Sequence, residues 1–174
     1  MGQSRPEIII TTTHQPSEQA RSFCKVLEHI IPDSTYISRG RKNIDDITAI
    51  AIDANADLVY ICNSKGGKLS ELHFYKIRGS ELTKLDHKIK IYDFIDYKIY
   101  GWKYLPERGP LSLSNESRNV NPELSNFLEQ YFRIVIGDKT PLWLLFDSKN
   151  KDAYLQFIDA LTLRTFTYLR IRLL

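Results

Sequence analysis

The stretch EIIITTTHQPSEQARSF, residues 7–23, decides how the rest of the chain is read. Three isoleucines run into three threonines. A β-branched run of this length, closed by a His-Gln-Pro corner, predicts a short strand over Glu7 to Thr12, covered on both faces. From Ser17 onward the period changes. Ala20, Phe23, Cys24, Leu27, Ile30 and Ile31 recur at three- and four-residue steps while Arg21, Lys25 and Glu28 fall outside that stripe, the pattern of an amphipathic helix with Ser17 as N-cap and Pro32 beyond its end. A strand that hands over to a helix through hydroxyls and a histidine has two explanations. The turn caps itself, with Ser17 and Glu18 answering the helix end, or Thr12, Thr13, His14, Ser17 and Arg21 surround a place for an anion at the helix N-terminus.

Working outward, STYIS predicts a short strand and RGRK a basic turn. Asn43 then caps a second helix with Asp45 and Asp46 in its first turn and Ile44, Ile47, Ile50, Ala51 and Ala54 on its inner stripe. DLVYIC and ELHFYKI flank the tight turn SKGGK, which predicts a hairpin. The second half is less regular. Residues 88–105 alternate as one long strand or two shorter ones, with Ile89, Ile91, Ile95 and Ile99 as inward candidates and Gly101 as a bulge. PERGPLSLSNESRNVN, residues 106–121, is the richest Pro/Gly/Ser/Asn stretch and predicts a mobile loop. Pro122 opens a helix carrying Leu124, Phe127, Leu128 and Tyr131. PLWLLFDS, AYLQFID and TLRTFTYLRIRLL predict three strands, the middle one equally compatible with a helix. Strict alternation in the last would put Arg164, Arg170 and Arg172 on one face with Phe166 and Tyr168, an arrangement suited to stacking on nucleic-acid bases.

Composition narrows the function. The 174 residues are 43% hydrophobic and 26% charged, with a formal net charge of +3. That is an ordinary folding composition and a mild basicity, which permits an acidic partner without requiring one. The N-terminal residues lack the apolar core of a signal peptide, and no run of about eighteen apolar residues occurs, so a cytoplasmic protein with no membrane partner is expected. Cys24 and Cys62 both fall in apolar stripes and are expected as buried thiols.

No catalytic constellation is evident. His14, His29, His73 and His87 have no partners at metal-ligand spacing. CNSKGGKLS is not a phosphate loop, because Cys62 and Leu69 stand where that motif needs Gly and Ser or Thr. The Gly-x-Ser-x-Gly and Gly-x-Gly-x-x-Gly patterns are absent. The expectation is a protein that is not an enzyme, without metal, cofactor or small-molecule substrate. The densest basic cluster is Arg39, Arg41 and Lys42 about Gly40, read either as a solvated turn or as phosphate contacts.

In order and spacing, IIITTTHQPSEQARSFCKVLEHIIPDSTYISRGRKNIDDI resembles the opening of archaeal-type Brix-domain proteins, through Thr11, Thr12, Pro16, Ser17, Arg21, Ser22, Phe23, Tyr36, Ile37, Arg39 and Gly40. The match covers about the first 77 residues and then fades. The resemblance implies a single Brix domain over 1–174, with an N-terminal half of about 7–85 and a C-terminal half of about 86–174. It implies an α/β fold of two related halves, each a mixed sheet with helices, similar to the anticodon-binding domain of class II aminoacyl-tRNA synthetases. VNPELSNFLEQYF is the candidate counterpart of the opening stretch in the second half, with negligible identity. Long basic tails of the kind carried by many eukaryotic relatives are not expected. The implied role is RNA binding in ribosome biogenesis and pre-rRNA processing, with precursor ribosomal RNA and ribosome assembly proteins as partners. The candidate RNA-binding residues are Thr13, Ser17, Arg21, Arg39, Arg41, Lys42, Arg164, Tyr168 and Arg170. Two other classes stay open: a protein-interaction adaptor within a pre-ribosomal particle, making no RNA contact, and a small nucleotide-using enzyme with its site at the first strand.

Overall fold

In the computed structural model, residues 5–137 and 140–174 are described. The elements are β1 (Glu7–Thr12), α1 (Glu18–Ile30), β2 (Ser34–Tyr36), α2 (Ile44–Asp53), β3 (Ala56–Lys65), β4 (Lys68–Arg78), β5 (Glu81–Ile95), β6 (Leu111–Leu113), α3 (Asn115–Val120), α4 (Pro122–Tyr131), β7 (Val135–Ile136), β8 (Leu142–Lys149), β9 (Asp152–Asp159) and β10 (Arg164–Leu173). The described residues divide into two compact units, one holding residues up to 28, residues 33–89 and residue 174, the other holding residues 29–32 and 90–173. Among the described residues no helix is long and apolar enough to cross a membrane.

In the first unit the strand order is β2-β1-β3-β4-β5. β1 runs parallel to β2 and to β3, and β3 runs antiparallel to β4. Ile8, Ile9 and Ile10 are all at most 1% exposed, because helices cover both faces of β1. Ile9 packs with Ile47 and Ala51 of α2 and with Val59 and Ile61 of β3. On the other face Cys24 of α1 meets Cys62 of β3, sulfur to sulfur 3.0 Å, with both thiols free and buried. Burial, followed by the hydrogen bond to Cys62, pushes the Cys24 thiol well above its ordinary range. The chain moves from β1 to β2 in one direction and returns past β1 to β3 in the other. Right-handed crossovers therefore place α1 and α2 on opposite faces. Burying each isoleucine is worth about 1.5–3 kcal/mol, so the opening run anchors this unit.

Local chemistry sets the ends. Ser17 Oγ accepts from the Ala20 amide at 3.1 Å and starts α1. Asn43 and Asp46 form a reciprocal capping box on α2. Gly66 and Gly67, at φ +60° and +74°, turn β3 into β4 in the backbone region that a side chain resists.

In the second unit the order is β5-β10-β9-β8-β6-β7. β6 is parallel to β7 and to β8, and β8, β9 and β10 alternate antiparallel. The ambiguous segment is β9, a strand: Phe157 and Leu155 pack inward and its ladder to both neighbours supplies the backbone bonds a helix would have made locally. Three expectations are corrected. Residues 106–121 are not one loop, since β6 is fully buried within them and α3 follows the N-cap Ser114. The long strand ends at Ile95; the chain turns over 97–101, with Gly101 at φ +84°, and leaves Ile99 75% exposed. On β10 the register slips between Thr165 and Thr167, so that Phe166 is an extra residue and sits 0% exposed in the core. The bulge shifts the alternation by one, and Arg164 therefore parts from the face that carries Tyr168, Arg170 and Arg172.

Candidate nucleic-acid interface

In the first unit the carboxyl ends of β1 and β2 and the start of α1 enclose a cleft of about 350 Å³ lined by Thr12, Gln15, Pro16, Arg21, Tyr36, Ser38, Arg39 and Gly40. A crevice outside the carboxyl ends of parallel strands is expected where the chain reverses its direction of travel across the sheet. Arg39 is 8% exposed. Its Nη1 donates to the Thr12 carbonyl at 3.0 Å and its Nε to the Lys42 carbonyl at 2.7 Å. Nη2 lies 3.4 Å from His14 Nε2, and His14 Nδ1 lies 3.3 Å from the Gly40 carbonyl; the two contacts agree when Nδ1 carries the ring hydrogen. The basic turn is thus braced from inside by a guanidinium, and the solvated-turn reading fits Arg41, which is exposed, but not Arg39. Lys42 Nζ donates to the Ser38 carbonyl at 3.1 Å.

The other candidates of this unit divide. Arg21 is exposed and lines the cleft. Ser17 and Thr13 do not line it. The Ser17 hydroxyl is taken by the α1 cap and by Ser64 Oγ at 2.9 Å, and the Thr13 amide donates to the Cys62 carbonyl. Tyr36 and Ser38 belong to the cleft and were missed as site residues; only their place after a short strand could have marked them. Burial raises the Tyr36 hydroxyl above its ordinary range, with a smaller opposing effect from Arg21.

The second unit shows two surfaces on β10. On one, the Arg164 guanidinium lies 4.5 Å from the centre of the Trp102 ring, and Trp102 Nε1 donates to the Thr165 carbonyl at 2.8 Å. The adjoining turn carries Lys98 above Tyr97 and Lys103 above Tyr104, which is 73% exposed. On the other, Arg170 bonds Asp152 through Nη2 at 2.7 Å and Nε at 3.1 Å, and Arg172 Nε reaches the second oxygen of the same carboxylate at 2.8 Å. Both arginines lie over the Tyr92 ring. The hydrogen bond from Arg170, opposed by burial and reinforced by Arg172, holds the Asp152 carboxyl below its usual range. Tyr168 lines a shallow hollow beside Tyr154 and Gln156. Phe166, expected to stack outward, is covered by Phe157 and Trp102. Trp102 and Tyr104 went unmarked because residues 88–105 read as strand throughout.

No family model matches the chain. Curated relatives do. A probable Brix domain-containing ribosomal biogenesis protein from Pyrococcus horikoshii is 30% identical over 138 residues, 77% of this chain and 60% of that protein. Its namesake in Pyrococcus abyssi is 34% identical over the same shares. The one in Methanococcoides burtonii is 27% identical over 87% of this chain and 86% of its own. Over most of its length the chain is similar to archaeal Brix-domain proteins. It spans about three-fifths of the length of the Pyrococcus relatives. Its fold matches a probable ribosomal biogenesis protein from Aeropyrum pernix, with a TM-score of 0.76 at 18% identity over 97% of this chain and 96% of that one. It also matches Mil, an archaeal Imp4-like protein, with a TM-score of 0.70 at 17% identity over 95% and 98%. Of the residues that carried the resemblance, Thr12, Pro16, Arg21, Tyr36, Arg39 and Gly40 thus meet at one place and line the cleft.

Proposed function

We propose that this chain is a Brix-domain protein, a non-catalytic, RNA-binding assembly factor of the cytoplasm that engages precursor ribosomal RNA and assembly proteins. The names of its relatives point to the process. The observation that carries the RNA contact is the cation-bearing aromatic surface of the second unit, where Arg164, Lys98 and Lys103 stand on Trp102, Tyr97 and Tyr104. Rings held this way offer stacking to unpaired bases, and their cations offer phosphate contacts in the same footprint. Arg21, Arg41 and Lys42 of the first unit and Tyr168 and Arg170 of the second add phosphate and stacking contacts, while Thr13, Ser17 and Arg39 hold the backbone that presents them. We take the two units as related halves of one domain, of the kind implied by the likeness to synthetase anticodon-binding domains; the matching strand order supports this.

The test is equilibrium binding of single-stranded precursor-rRNA fragments across a salt series. Neutralising about four phosphates gives a log-log slope near −3. An affinity that does not change with salt overturns the reading. A second reading, the adaptor without RNA contact, is favoured by Leu161, Ile99 and Leu163 at 91%, 75% and 66% exposed. Partners that remain on the immobilised chain after nuclease treatment, together with a flat salt response, decide for it.

A further inference from the structure

The first unit buries a positive charge that has no counter-charge among the described residues. Arg39 is 8% exposed, yet its hydrogen-bond partners are two backbone carbonyls and an imidazole nitrogen of His14, and among the described residues no carboxylate pairs with it. A guanidinium out of water without a counter-charge is costly, and the cost falls when an anion is brought to it. Thr12 sits in the wall of the same cleft at 0% exposure, and its hydroxyl has no partner among the described residues. A buried hydroxyl without a partner is itself uncommon. Across the cleft Arg21 makes no side-chain hydrogen bond or ion pair with a described residue. The Tyr36 hydroxyl and Ser38 complete a set of donors, and no described lining residue is acidic.

We propose that this cleft receives the terminal phosphate monoester of an RNA chain, so that the protein recognises an RNA end. The proposal rests on the RNA-binding reading and sharpens it. Two guanidiniums with neutral donors between them match a group carrying about −1.5 to −2 charges and three terminal oxygens. A diester within the strand carries a single charge and two free oxygens, and would leave one guanidinium and part of the donor set unanswered. The planar fork of Arg39 is fixed by its carbonyl partners and presents its remaining N–H groups without further ordering.

The experiment uses short single-stranded RNAs of one sequence bearing a 5′-phosphate, a 3′-phosphate or hydroxyls at both ends, with binding measured by fluorescence anisotropy. One phosphorylated form is expected to bind at least about tenfold tighter than the hydroxyl-ended form, as expected for new hydrogen bonds to a charged group. Because Arg39→Ala risks unfolding, the variants are Arg21→Gln and Thr12→Val, the second retaining the β-branched shape. In both, the ratio of the two affinities is expected to fall toward one. Equal affinity of all three RNAs overturns end recognition while the RNA-binding reading stands. A preference that survives in both variants overturns the assignment to this cleft, and displacement by adenosine monophosphate at equal concentration makes it a mononucleotide site instead. If no RNA binds, both readings fall together.

Discussion

The two units use one strand order to make two different crevices. In the first, β1 ends at Thr12, α1 starts beyond it and β2 lies alongside; the crevice holds Arg21 and Arg39. In the second, β6 ends at Leu113, α3 starts beyond it and β7 lies alongside; the crevice, of about 180 Å³, is lined by Ser112, Ser114, Ser117, Gly137, Trp143, Leu144 and Leu145 and has no cation among those residues. Two parallel neighbours on either side of the leading strand, with a helix leaving its carboxyl end, put a hollow in the same topological place each time. What the hollow can hold is then decided by a few side chains. In the first unit the ten-residue α2 separates β2 from β3, leaving room for the basic turn that supplies Arg39. In the second, only residues 137–141 separate β7 from β8.

Arg39→Ala is expected to separate the two crevices most sharply. The substitution leaves the Thr12 and Lys42 carbonyls without their donor inside a buried wall, and is expected to cost about 3 kcal/mol in urea unfolding. Arg41→Ala, two residues on and exposed, should change stability by no more than about 0.5 kcal/mol. In the second crevice, Ser112 Oγ makes one long bond, 3.4 Å, to the Leu142 carbonyl, and Ser112→Ala should cost about 0.5–1 kcal/mol. Should Arg39→Ala prove as mild as Ser112→Ala, the guanidinium is not what builds the first crevice.

The same contrast explains what the residues disclosed in advance. β1, α1, α2 and the β3–β4 hairpin were legible because each carries its own signal: a β-branched run, a helical stripe, an Asn43 cap, a Gly-Gly turn. β6 was not legible. Three residues, Leu-Ser-Leu, are too short to show a period, and they pair with β7 and β8, which arrive from elsewhere in the chain. VNPELSNFLEQYF does contain α4, yet the strand that leads that unit lies before it, inside the apparent loop. On β10 the alternation of Arg164, Phe166 and Tyr168 was real in the sequence and misleading in space, since the bulge at Phe166 is fixed by its pairing with β9. For the site, residue type pointed to Arg21 and Arg39, but the difference between an exposed and a buried guanidinium is a tertiary fact.

Each unit also has a carboxylate that pairs with cations on the neighbouring strand. Asp152 opens β9 and holds Arg170 and Arg172 of β10; Glu71 on β4 holds Lys88 of β5 and also His73. Asp152→Asn removes the shared counter-charge and leaves two guanidiniums side by side over Tyr92. Thermal stability is expected to fall. RNA affinity at low salt is expected to rise, with the salt slope steeper by about 0.7 for each arginine that gains a phosphate. An unchanged slope would mean that this face does not meet RNA, and would confine the interface in this unit to the Arg164 side.

The smallest expected effect separates the two carboxylates by pH. Hydrogen bonds from His73 first, then from Lys88, hold the Glu71 carboxyl below its ordinary value of 4.5, against an opposing effect of burial. A carboxyl whose pKa is depressed by folding adds stability that is fully present above its unfolded pKa and is lost as the pH falls through the lower, folded one. Glu71 and Asp152 both have this sign, so both steepen acid unfolding. Their partners differ: Asp152 answers two guanidiniums that stay charged at every pH used, whereas the leading partner of Glu71 is an imidazole whose ring can donate with or without its charge. Glu71→Gln keeps an acceptor for His73 and Lys88, and should leave stability at neutral pH only slightly lower while flattening its fall below about pH 4.5. Unfolding curves across that range for the parent and Glu71→Gln that stay parallel would show that the carboxylate pairing on β4 is incidental, and that the likeness between the two units stops at strand order.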